Sequence, residues 1–155
     1  MPNLTKDKFL VLLFTAFCVF PNNIKVLAQS PKEFWAVLED IDWEYKYSEI
    51  YQTQIGFPLF NDKVKALKGK EITLQGYFIP VMSDSEKEMI FSAYPNSSCF
   101  YCGAAGIESV IGVYFKKTQK FRTDQLVTFK GKLYLNNKET GLIYQLTDAE
   151  VVEEN

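Results

Sequence analysis

The spacing of apolar and polar residues changes period twice along the chain. In "SPKEFWAVLEDI", Phe34, Val37, Leu38 and Ile41 recur every three or four positions, which puts them on one face of a helix. Ser30 stands at the cap, Pro31 suits the first helical position, and Glu33 completes a capping box. In "WEYKYSEIY", Trp43, Tyr45 and Tyr47 alternate with Glu44 and Lys46, the period of a half-buried strand. "GFPLF" interrupts that regularity. "NDKVKALKGK" then predicts a short helical turn, capped by Asn61 and stopped at Gly69.

From Lys70 onward the two-residue period dominates. "KEITLQGYFIPV" places Ile72 and Leu74 in one phase and Tyr77, Ile79 and Val81 in the other, so a bulge or sharp bend is expected at Gly76. "SDSEKE" reads as a turn and "MIFSAY" as a second strand. "ESVIGVYFKK" is a third strand, and "QLVTFKGKLYLN" a fourth with Gly131 in its middle. "NNKETG" is a turn before a fifth strand, "GLIYQLTDAEVV". Five strands, two of them carrying a mid-strand glycine, predict a mainly β fold. The expected form is a small five-stranded OB-like barrel with an N-terminal helix, the alternative being an open α+β sheet. The strands read as antiparallel.

The N-terminus has a different pattern. Lys6 and Lys8 precede an unbroken apolar run from Phe9 to Phe20, long enough for the core of a signal peptide and too short to span a bilayer. Val26 and Ala28 in "VLAQS" sit at the small-residue positions before a cleavage site, so the expected division is a signal peptide over 1–28, a helix and extended segment over 29–66, and the barrel over 67–155. An uncleaved anchor is one alternative. A lipid anchor on Cys18 is another, disfavoured by the bulk of Phe17. The expected location is periplasmic or secreted.

Composition narrows the chemistry. Removing residues 1–28 takes Lys6, Lys8, Lys25 and Asp7 from totals of 17 basic and 19 acidic residues, which leaves 14 and 18. That surplus of negative charge argues against nucleic acid as a partner. The chain has no histidine, which excludes a Ser-His-Asp triad, a Cys-His pair, a histidine zinc ligand and CxxCH haem attachment.

The segment hardest to explain by packing is "SSCFYCGAAGIES", between the second and third barrel strands. Together with "LKGKEITLQGYFIPV", "VTFKGKLYLN" and "YQLTDAE", it resembles a family of small exported bacterial proteins of uncharacterised function, marked by a Ser-Cys-Phe-x-Cys-Gly segment in an OB-like β domain. The resemblance spans about Leu67 to Glu150 and departs from the pattern at Ile107, where proline is common. It implies no established activity, so Cys99 and Cys102 have to be read chemically.

Three readings stay open. A soft metal ion, zinc or copper(I), would take both thiolates. Glu108 is a candidate oxygen ligand and Met82 and Met89 are candidate thioethers, although a solvated carboxylate and core gap-filling are the commoner roles of such residues. A homodimer would pool two pairs into a four-sulfur site. Thiol–disulfide exchange is the second reading, with Cys99 as the exposed nucleophile and Cys102 as the resolving thiol, but the usual βαβ setting is missing. The third is a structural disulfide, worth only roughly 2 kcal/mol for so short a loop.

Tyr94, Phe100 and Tyr101 form a candidate ligand rim. Asp84, Glu86 and Glu88 suit a solvated turn better than an acid/base pair or a calcium site. The sequence therefore points to an exported, non-enzymatic binding or accessory module that meets a soft metal ion, or an envelope or transporter partner, through its CxxC loop.

Overall fold

The computed structural model describes residues 30, 32–81 and 88–152. The expected signal peptide with Cys18, and Pro31, Met82, Asp84 and Glu86, lie outside the described residues.

Helix α1 covers Phe34–Glu39. The reciprocal capping bonds are present: Glu33 N donates to Ser30 Oγ (3.3 Å) and Ser30 N to Glu33 Oε2 (3.1 Å). Its buried face is carried by Trp35 and Leu38, whereas Phe34, Val37 and Ile41 pack half-buried at the margin. Trp35 lies inside because its indole Nε1 donates to the Gln75 carbonyl at 2.8 Å, so a large ring enters without stranding its polar atom.

Strands β1 (Asp42–Ser48) and β2 (Thr53–Leu59) form an antiparallel ribbon. "GFPLF" therefore supplies most of a strand instead of a break. Pro58 is tolerated because the ribbon has only two strands, which leaves one side of β2 without a neighbour that needs its N–H. Helix α2 (Asp62–Lys65) follows, with Asn61 Oδ1 accepting from Val64 N at 3.0 Å. Gly69 adopts φ +75°, a conformation that ends the turn and suits glycine.

Five strands then close the barrel: β3 (Glu71–Ile79), β4 (Glu88–Ser92), β5 (Val110–Phe115), β6 (Leu126–Leu135) and β7 (Tyr144–Val151), in the order β3-β4-β5-β7-β6. The β5–β7 pair is parallel, which corrects the all-antiparallel expectation. This is the OB-like barrel, and the open sheet is set aside.

The interior holds Leu74, Phe91, Ile111, Phe129, Leu133 and Leu146, and Trp35, Leu38 and Val64 join the same cluster. Phe91 sits centrally, with its ring centroid 4.6 Å from that of Phe129 and 5.4 Å from that of Phe121. Tyr144 is fully buried and donates to the Leu38 carbonyl at 2.6 Å, which fastens α1 to the barrel.

Gly76 is not a bulge, since β3 pairs with β6 without interruption from Glu71 to Tyr77. The apparent change of phase has another cause. A second apolar cluster of Ile79, Ile90, Cys99, Val110 and Leu142 covers the opposite face of the strands, with Tyr77 and Val81 packed on it. Beyond Gly76 the strand is therefore covered on both faces. Irregularities fall instead at Gly131, where the β6–β7 register shifts between Lys130 and Lys132, and in the β5–β7 pair between Val113 and Phe115.

Candidate functional site

The cysteine loop runs from Ser92 to Val110 as three short 3-10 turns, Asn96–Ser98, Phe100–Cys102 and Ile107–Ser109. Local bonds hold it in shape. Ser92 Oγ accepts from Tyr94 N at 3.1 Å, and Ser109 Oγ donates to the Gly106 carbonyl at 2.6 Å. Asp124 Oδ1, in the connection from β5 to β6, accepts from Asn96 N at 2.6 Å. Gly103 takes φ +75° directly after Cys102 and ends the second turn.

Both thiols turn toward one atom. Cys99 Sγ donates to the Asn96 carbonyl at 3.3 Å and Cys102 Sγ to the same oxygen at 2.8 Å. Their environments differ. Cys99 has no exposed surface and packs with Ile79, Ile90, Val110 and Leu142, whereas Cys102 is exposed. The exposures are thus the reverse of those expected, because the apolar side of the loop turns its first sulfur onto the barrel wall. Partial loss of solvent, then the adjoining Cys99 thiol and the Asp124 carboxylate, hold the Cys102 thiol above its ordinary range.

Glu108 does not join the sulfurs. No three Cys, Asp or Glu side chains gather as a metal-ligand group among the described residues. The Glu108 carboxylate folds back over Gly106, so closely that a Cβ at that position would overlap it. It lines a cavity of about 270 Å³ with Glu39, Tyr94 and Ser98. Met89 packs half-buried against the main core, on the face of β4 opposite Ile90, and so points away from the Cys99 cluster. Glu88 lies across from Tyr114 in the β4–β5 ladder and hydrogen-bonds it; burial and this carboxylate push the Tyr114 phenol up to about 12.

The expected rim divides in two. Phe100 packs on the outer cluster and meets Tyr101 edge to face, with centroids 5.3 Å apart, beside the cysteines. Tyr94 belongs to the acidic group instead, its hydroxyl donating to Glu39 Oε2 at 3.2 Å. Nothing local in the chain marks Glu39, which lies 55 residues from Tyr94 and meets it only through the seating of α1. Burial raises the Glu39 carboxyl above the ordinary range, the Tyr94 bond opposes this, and the charge of Glu108 adds to it.

Fold and site together define a class, a closed OB-like barrel that carries a thiol pair on an outer loop. No protein-family model matches the chain, and none of the curated proteins or solved structures compared with it matches either.

Proposed function

We propose that the chain is an exported, non-enzymatic binding module whose CxxC loop holds one soft metal ion between Cys99 and Cys102. The observation that carries this reading is the convergence of the two thiols on the Asn96 carbonyl, one sulfur buried and one open to solvent. A pair of adjacent sulfurs supplies two soft donors on one side and leaves the other side accessible. Copper(I) accepts so few thiolate ligands, whereas structural zinc asks for four. With no third Cys, Asp or Glu at hand among the described residues, zinc would require a second copy of the chain.

The rival oxidoreductase reading is weaker on the same geometry. An attacking thiol works as thiolate, and catalytic CxxC pairs lower its pKa at a helix N-terminus or beside a cation. Cys102 instead ends a three-residue turn, and loss of solvent, then its neighbours Cys99 and Asp124, push the thiol upward. A closed disulfide remains the second reading, because both sulfurs lie within 3.3 Å of the same Asn96 oxygen.

Native mass spectrometry separates the two. The protein, purified from an exported fraction without reductant and exposed to copper(I), is expected to carry one ion per chain. Either Cys99→Ser or Cys102→Ser should abolish that mass increment. A metal-free mass two hydrogens below the reduced value would overturn metal binding and leave the disulfide.

A further inference from the structure

Beside the thiol loop, α1 and the barrel leave a groove of about 450 Å³ lined by Trp35, Tyr77, Ala93, Pro95 and Leu126, with Lys32 at its edge. Glu39 and Tyr94 line both this groove and the smaller cavity that contains Glu108, so the two spaces share a wall. The floor is apolar and aromatic. Its far end is acidic, for Glu39 and Glu108 are the only charged residues around the smaller cavity among the described residues.

Glu39 is incompletely served. Its Oε2 accepts from Tyr94, but Oε1 is shut off from water with no hydrogen-bond partner among the described residues. Buried carboxylate oxygens normally find a donor. Among the described residues no basic side chain lines the smaller cavity with Glu39 and Glu108, Lys32 lining the larger groove alone, and rotation about the last side-chain bond of Glu39 is soft enough to turn either oxygen toward the groove. The missing counterpart is therefore a cation with N–H donors, joined to a body that suits aromatic walls.

We propose that this groove binds a small organic amine, its ammonium group held by Glu39 and Glu108 and its apolar body lying along Trp35, Tyr77 and Pro95. An ammonium supplies three donors, enough for both carboxylates at once. Lys32 stands seven residues before Glu39 on the same groove and disfavours the reverse orientation. A hard metal ion fits less well, because it would ask for six or more oxygens. The site uses neither cysteine, although Tyr94, Pro95 and Glu108 belong to the same loop.

Isothermal titration of the full chain with 2-phenylethylamine, 2-phenylethanol and 3-phenylpropanoate tests this. The amine should bind at least tenfold more tightly than the isosteric alcohol, and the carboxylate should be weakest. Glu39→Gln and Glu108→Gln should each reduce amine affinity at least fivefold with circular dichroism unchanged. They should leave the alcohol's affinity as it was. Equal binding of amine and alcohol, absence of amine binding, or indifference to both substitutions would overturn the proposal. Tighter binding of N-acetyl-lysine methylamide than of phenylethylamine would also overturn it, by assigning the site to a lysine side chain of a protein partner.

Discussion

Two sulfur atoms three positions apart face opposite surroundings, and substitution separates them. Serine at Cys99 would bury a hydroxyl among Ile79, Ile90, Val110 and Leu142. The expected loss is about 1–3 kcal/mol, read as a lower urea midpoint. Cys102→Ser changes an exposed atom and should stay within about 0.5 kcal/mol of the parent. Glu39 behaves differently, as its folded carboxyl takes up a proton at higher pH than the unfolded one. Between those two values the folded state binds more protons, so stability falls as pH rises through that window and stays reduced above it. Glu39→Gln should therefore raise the melting temperature at pH 7 relative to the parent. The gain should shrink at pH 4, in the same variant whose amine affinity is expected to fall. The cysteine pair and the capping residues were legible in the sequence because their signals are local. The burial of Cys99 was not, since spacing alone does not say which side of a loop meets the barrel. Trp35 was missed for a related reason: helical periodicity finds a face but not which of two adjacent aromatics has a carbonyl waiting for it.

Among the elements, β6 and β7 leave no room for a side chain at Gly131. A Cβ there would stand 2.8 Å from the Thr147 carbonyl oxygen and 2.9 Å from Leu146 Cγ. Backbone does not yield as a flexible side chain does, so Gly131→Ala should cost about 1–3 kcal/mol, measured by chemical denaturation. Gly76 is less confined, its nearest neighbour being the Ser92 carbonyl at 3.1 Å. The five barrel strands could be read from their alternation, helped by the turns between them. The β1–β2 ribbon was only half legible, because Gly56 and Pro58 are poor strand formers where a third strand must pair. Gly56 also gives the rings of Trp43 and Tyr45 room to lie across the ribbon, with the closest ring atoms 3.1 and 3.6 Å from where its Cβ would be. The phase change at Gly76 resembled a bulge because local pattern cannot distinguish a kinked strand from one covered on both faces. The covering cluster is built from residues as distant as Ile79 and Leu142.

At the scale of the molecule, one continuous core runs from α1 and α2 through the barrel interior, and a smaller one lies under the thiol loop. The described N-terminal segment is therefore part of the barrel's packing. The ribbon is more loosely integrated: Tyr45, Tyr47, Ile50 and Tyr51 are exposed, and Ser48 Oγ donates to Glu139 Oε2 at 2.5 Å where the ribbon meets the turn before β7. No described helix is long and apolar enough to cross a membrane. Barrel closure also bears on how the chain reaches this state. The seam pairs Ile72 with Gly131 and Leu74 with Phe129, so the first barrel strand must wait for the fourth. Closing so long a loop costs entropy before any contact repays it, and barrels of this kind fold over roughly milliseconds to seconds. Until β6 arrives, β3 presents an open edge, the interval in which a newly emerged chain is most exposed to mispairing with its neighbours.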